Sequence, residues 1–137
     1  MGDSVSFIEK GIGMIADAFP ACKIERTPLI VSEPWGYESN NKYANLTIRT
    51  EIPIETSESN AIKLLDALQR IEREISAVPH RTADGAYRDR EIDIDIIAIE
   101  RLPNMSHPRL QLPHPRAAER DFVRLPMLEL GALSLIT

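Results

Sequence analysis

The chain has 137 residues, enough for one domain with a substantial core and too few for two ordinary ones. It is 43% hydrophobic and 27% charged, without a low-complexity run, which is the composition of a soluble globular protein. The net charge of −5 argues against a non-specific binder of nucleic-acid backbone, and no apolar run approaches the ~20 residues of a membrane span. The single cysteine, Cys22, excludes an internal disulfide, fits a reducing cytoplasm, and reads as core. The first residues lack a basic region followed by an apolar one and do not read as a secretory signal.

In chain order, Asp3 is a candidate cap for a first helix, on which Phe7, Ile8, Gly11, Ile12, Ile15 and Phe19 form one stripe that ends at Pro20. "CKIERTPLIVSE" reads as an irregular strand bulged around Pro28. "EPWGYESNNK" has the chemistry of a turn. In "YANLTIRTEI", Leu46, Ile48 and Ile52 point one way, and Tyr43, Asn45, Thr47 and Arg49 the other. Ser57 or Ser59 caps a second helix whose period is set by Ile62, Leu65, Leu68, Ile71 and Ile75. Gln69 and Glu72 are three apart and so are neighbours on its surface. "SAVPHRTADGAYRDR" is a polar, arginine-bearing loop, and "EIDIDIIAI" a strand. The proline-rich "LPNMSHPRLQLPHPR" is expected to resist regular structure, and "AAERDFVRLPMLELGAL" to hold a short final helix. This order predicts an α+β domain with a mainly antiparallel sheet.

The chemistry concentrates in "REIDIDIIAIE". Side chains two apart on a strand share a face, so Glu91, Asp93 and Asp95 line one side and Ile92, Ile94 and Ile96 the other. One reading is the solvated acidic face of an open sheet. The other starts from the mutual repulsion of two adjacent carboxylates, which a divalent cation removes. Mg²⁺ is commonly held by one or two carboxylates together with phosphate oxygens and water. Arg81, Arg88 and Arg90, just upstream, suit phosphate geometry. An acidic pair flanked by arginines points to a magnesium nucleotide.

Four segments in order carry a resemblance. "YRDREIDIDII" resembles the signature of the 6-hydroxymethyl-7,8-dihydropterin pyrophosphokinase family, R-x-(L/I)-D-(L/I)-D-I. "LPHPRAAERDFVRLPML" resembles that family's second signature, "SEPWGYESNNKYANL" its pterin-side loop, and "LLDALQRIERE" its Q-x-I-E helix. The resemblance implies a ferredoxin-like α+β sandwich, with helices packed on a mainly antiparallel sheet. It also implies a cytoplasmic, ATP-dependent diphosphotransferase of folate synthesis.

By that resemblance Asp93 and Asp95 would hold two Mg²⁺ ions bridging the ATP phosphates. Arg81 and Arg90 would act in catalysis. Gln69, Glu72, Tyr87, Arg90, Ile96, His114 and Arg120 would line the nucleotide, with Arg90 and Arg120 on phosphates. Tyr43 and Phe122 would sandwich the pterin, Asn45 would read its edge, and Ser32 and Trp35 would belong to the loop that closes over it. Without the resemblance, Phe122 reads as core, Tyr43 as an ordinary strand aromatic, His114 as a loop histidine, and Gln69 and Glu72 as a solvated helix face.

The sequence departs from the family pattern in three places. Gly2-Asp3 resembles the end of a G-(S/T)-N-x-G-D loop, so residues 1–137 read as a single domain lacking the family's first strand. An incomplete sheet of that kind would favour self-association. The arginine loop reads "SAVPHR" where the family has G-R-x-R, and Tyr87 stands where many members have tryptophan. The C-terminus is short. The competing expectation is a catalytically impaired relative that keeps pterin or nucleotide binding. The acidic strand face argues against an RNA-binding module of similar fold, and no nucleic-acid or membrane partner is expected.

Overall fold

The computed structural model describes residues 2–20, 22–32, 43–76 and 92–137. Helix α1 (Gly2–Ala18) is followed by strands β1 (Ile24–Arg26) and β2 (Ile30–Ser32), then β3 (Tyr43–Asn45) and β4 (Ile48–Thr50). Helix α2 (Glu58–Ser76) comes next, and after it the hairpin β5 (Met105–His107) and β6 (Leu110–Leu112) and helix α3 (Asp121–Glu129). Single 3₁₀ turns flank α3 at Ala117–Glu119 and Leu133–Leu135. The described strands pair as three two-stranded antiparallel units, β1–β4, β2–β3 and β5–β6. Among the described residues the chain is thus α+β, with three helices and short antiparallel pairs.

β1 and β2 run along β4 and β3 as one interrupted ribbon. Arg26 stands opposite Ile48, and the Thr27 and Thr47 backbones bond at 3.0 Å; the register resumes at Ile30 opposite Asn45. Pro28 and Leu29 therefore face the single residue Leu46, which is a β-bulge of one extra residue. A proline has no N–H for the ladder, so a bulge is where it can sit. The buried Thr27 pins the bulge: its hydroxyl accepts the Thr47 N–H at 3.0 Å. Cys22, expected in the core, is only half-buried just before this ribbon.

α2 begins where Ser57 caps it, its Oγ accepting the Asn60 N–H at 3.0 Å. Ala61, Leu65, Leu68, Ile71 and Ile75 then fall on one stripe and are all buried. They join Ile15 of α1, Ile96, Met105, Leu110 and Leu112 in the main apolar cluster, with Phe7, Ile24, Ile48, Ile92, Ile94 and Ile99 packed around it. α1 starts at Gly2, so Asp3 lies within its first turn and does not precede it as a cap. The free N–H groups of a helix N-terminus favour an acidic residue at either place, and sequence does not separate the two.

Two regions differ from the sequence expectation. The proline-rich stretch forms a regular hairpin: Met105, Ser106 and His107 pair with Leu112, Gln111 and Leu110. Pro103 and Pro113 stand outside the ladder and Pro108 in the two-residue turn, so no proline removes a ladder hydrogen bond. The Leu112–Pro113 peptide is cis. Residues 92–98, expected as a strand, keep the alternation of one: Ile92, Ile94 and Ile96 turn inward, while Asp93 and Asp95 are exposed. They have no ladder partner among the described residues, and their inward isoleucines pack into the main apolar cluster.

The C-terminal part closes a second cluster of Ala117, Val123, Met127, Ala132 and Ile136. α3 ends in a Schellman cap. Gly131, at φ +71°, donates to the Leu128 carbonyl at 3.0 Å, and Ala132 donates to that of Met127 at 2.8 Å. Ile97 and Ala98 pack on this second cluster, whereas Ile92, Ile94, Ile96 and Ile99 belong to the first. Segment 92–99 is therefore the seam between the two apolar clusters.

Candidate functional site

The seam carries Asp93 and Asp95, and three contacts fix it from behind. Ile92 lies over Gly11 of α1, so close that a β-carbon added to Gly11 would stand 2.9 Å from Ile92 Cδ1. From α2, Glu72 reaches across, its Oε2 accepting the Ile94 N–H at 2.8 Å. Further along, the His114 N–H donates to the Ile97 carbonyl at 2.8 Å. The backbone between the two aspartates is thereby held by a carboxylate on a helix, and both aspartates are exposed residues.

Gln69, one turn before Glu72, is engaged by Arg109 in the β5–β6 turn. Arg109 Nη2 donates to Gln69 Oε1 at 3.0 Å and to Asp66 Oδ1 at 2.5 Å. His114, half-buried beyond β6, accepts the Arg116 N–H at Nδ1 (3.3 Å). Ile96 is buried in the core. Gln69, Glu72, Ile96 and His114, separated by up to 45 positions, thus gather where α2, the seam and the end of β6 meet. Arg109 was not singled out by sequence reasoning. Its contacts span about 40 positions, and no local pattern encodes them.

On the other side of the seam, Phe122 is half-buried at the margin of the second cluster, and the Arg120 guanidinium lies 5.6 Å from its ring centroid, within cation–π range. The side chains expected to serve different substrates, Arg120 and Phe122, are thus in contact. α3 packs against β2, the strand paired with β3. On β3, half-buried Asn45 donates from Nδ2 to the Ile30 carbonyl at 3.3 Å, and Tyr43 stands opposite Ser32 in the register. Trp35, Arg81, Tyr87 and Arg90 lie outside the described residues.

As a donor set for a cation, Asp93 and Asp95 offer oxygen ligands only. Among the described residues no group of three or more His, Cys, Asp or Glu could enclose a metal ion. Two exposed carboxylates, with no third such ligand among the described residues, fit a hydrated hard cation that takes its remaining ligands from phosphate and water better than a closed structural metal site.

The chain thus presents two exposed aspartates on an extended segment, backed by a helix and flanked by a partly buried aromatic. The sequence model of 7,8-dihydro-6-hydroxymethylpterin-pyrophosphokinase matches residues 1–132, and the chain belongs to that family. It is 37% identical over 100 residues to the 2-amino-4-hydroxy-6-hydroxymethyldihydropteridine pyrophosphokinase of Porphyromonas gingivalis, covering 73% of this chain and 64% of that protein. The enzymes of the same name from Bacillus subtilis and Haemophilus influenzae are 28% identical over 130 residues and 32% over 101. These matches cover 95% and 74% of this chain, and 72% and 57% of the relatives. The chain therefore spans less than two thirds of the length of the Porphyromonas relative. No described helix is long and apolar enough to cross a membrane.

Proposed function

We propose that the chain transfers the β,γ-pyrophosphoryl group of ATP to the hydroxymethyl oxygen of a reduced pterin, in folate synthesis in the cytoplasm. Family membership supports the reaction, and the observation that carries it to this chain is the exposed pair Asp93 and Asp95 held between α2 and the β6 end. The new bond joins the pterin oxygen to the β-phosphorus, the bond from that phosphorus to the bridging oxygen of AMP breaks, and the hydroxyl loses its proton. Asp93 and Asp95 would hold two Mg²⁺ ions, which supply charge neutralisation and alignment of the phosphate oxygens.

The other roles are borne by the chain's own side chains. Gln69, Glu72, Tyr87, Ile96 and His114 line the nucleotide. Arg81, Arg90 and Arg120 offset the charge on the transferring phosphates. Tyr43 and Phe122 hold the pterin between flat faces, Asn45 reads its polar edge, and Ser32 and Trp35 help enclose it. We read the architecture as a ferredoxin-like sandwich. The packing of α1 and α2 through one apolar cluster onto Ile24, Ile48 and the 92–96 segment supports that reading. Self-association through an incomplete sheet is a further part of the reading, checked by sedimentation.

The test is calorimetry with a reduced pterin and a non-hydrolysable ATP analogue, with and without Mg²⁺, beside an assay of AMP release. Mg²⁺-dependent nucleotide binding with pterin-dependent AMP release is expected. Binding of both ligands without AMP release would instead indicate an impaired relative that only binds, and absence of binding would overturn the reading.

A further inference from the structure

We infer that Glu72 is a positioning residue for the aspartate pair: its carboxylate sets the orientation of Asp93 and Asp95 by holding the Ile94 N–H between them. This rests on the magnesium-nucleotide reading of the pair.

The geometry adds this role to the place beside the nucleotide assigned to Glu72 above. Glu72 Oε2 accepts the Ile94 N–H at 2.8 Å, from α2 to a segment 22 positions away, and the bond is partly buried. Ile94 is the one residue between the two carboxylates, so holding its N–H restrains the stretch of backbone that carries both. In a laddered strand a neighbouring strand would hold that N–H. Among the described residues no strand flanks 92–98, and the helix carboxylate takes the place of one. A charged acceptor makes the stronger kind of hydrogen bond, and an unmet N–H at this depth would be costly. The neighbouring anchors act at the ends of the segment, Gly11 beneath Ile92 and the His114 N–H on the Ile97 carbonyl. Only Glu72 acts at its middle among the contacts described. α2 holds Glu72 firmly, since Ile71 and Ile75 beside it are both buried.

Outer partners that orient metal ligands typically change metal affinity by about 10–100-fold when removed. Glu72→Ala should therefore raise the Mg²⁺ concentration that half-saturates binding of a non-hydrolysable ATP analogue by about 10-fold or more. Binding at saturating Mg²⁺ should fall less. Glu72→Gln keeps an amide oxygen able to accept from Ile94 and should recover most of the Mg²⁺ dependence. Without Mg²⁺ or nucleotide, exchange of the Ile94 amide should be slow in the wild type and in Glu72→Gln and faster in Glu72→Ala.

An unchanged Mg²⁺ midpoint in Glu72→Ala, with wild type binding normally, would overturn the positioning role and leave the magnesium-nucleotide reading intact. Loss in Glu72→Gln as great as in Glu72→Ala would also overturn it, by pointing to a direct charged contact with the ligand. Wild-type protein that shows no Mg²⁺-dependent nucleotide binding would sink the underlying reading. Should Glu72→Ala fail to fold, Glu72→Gln and wild-type exchange at Ile94 still decide: fast exchange in the wild type overturns the inference.

Discussion

At the scale of single residues, the aspartate pair and Phe122 make opposite demands. Asp93 and Asp95 are exposed, so replacing either should cost the fold little. Asp93→Asn or Asp95→Asn is expected to abolish pyrophosphoryl transfer and weaken Mg²⁺-dependent nucleotide binding, while the melting temperature stays near that of the wild type. Calorimetry and a thermal melt on the same samples check this; nucleotide affinity unchanged in Mg²⁺ would refute it. Phe122 is half-buried against the second cluster and under Arg120, so a ligand role and a packing role coexist. Phe122→Ala should weaken pterin binding by roughly 1–3 kcal/mol, the range for stacking a heteroaromatic base on an aromatic side chain, and barely change ATP binding. Equal losses for both ligands would mark Phe122 as packing alone. The sequence made Asp93 and Asp95 legible because a period of two is local. Gln69 and Glu72 were legible as helix neighbours only. That Glu72 bonds the Ile94 backbone and Gln69 meets Arg109 depends on contacts 22 and 40 positions away, which periodicity does not encode.

At the scale of elements, ends and joints carry local signals, and the sequence registered some of them. Ser57 does cap α2, and the irregularity read around Pro28 is a bulge opposite Leu46. Ser57→Ala should destabilise the protein by about 1 kcal/mol, measured by denaturant titration, because the Asn60 N–H loses its acceptor. α1 is tied to β1 by the bidentate pair of Arg26 with Glu9, one arm of it 3.0 Å long. The hydrogen bonds and charge of Arg26 hold the Glu9 carboxyl below its ordinary range. A depressed carboxylate stabilises the fold at pH above its unfolded value of 4.5, and that contribution is lost as pH falls through the lower folded value. Both groups are exposed, so the effect is small and screened by salt. The expected result is a Glu9→Gln melting temperature slightly below wild type at pH 7. The two should converge as pH falls well below 4.5, or in 1 M salt. What the sequence did not reveal here was the β5–β6 hairpin. Four prolines argued against it, and only the register shows that each falls at a turn or beyond an end.

At the scale of the whole molecule, the two apolar clusters meet along one segment. Ile92, Ile94, Ile96 and Ile99 enter the first and Ile97 and Ala98 the second, so the segment bearing the aspartates owes its position to both. Two further links cross between the parts. Arg49 on β4 donates to the Leu130 carbonyl at the end of α3 at 2.8 Å, and His114 holds Ile97. The residues assigned to the nucleotide sit mainly on the first cluster, and Phe122 on the second. A protein so joined should unfold as one cooperative unit, as small domains usually do. Met127, at 5% exposure, lies in the second cluster. Met127→Ala should cost about 2–5 kcal/mol, the range for truncating a buried Met, and the loss should be felt on both sides of the seam. Denaturant unfolding followed by far-UV circular dichroism, dominated by α1 and α2, should shift to a lower midpoint. Hydrogen exchange of amides in α2 should accelerate in step with those in α3. Were Met127→Ala to loosen α3 alone, with α2 still exchanging at the wild-type rate, the clusters would be independent, and a pterin bound against one could not steady the aspartates held by the other.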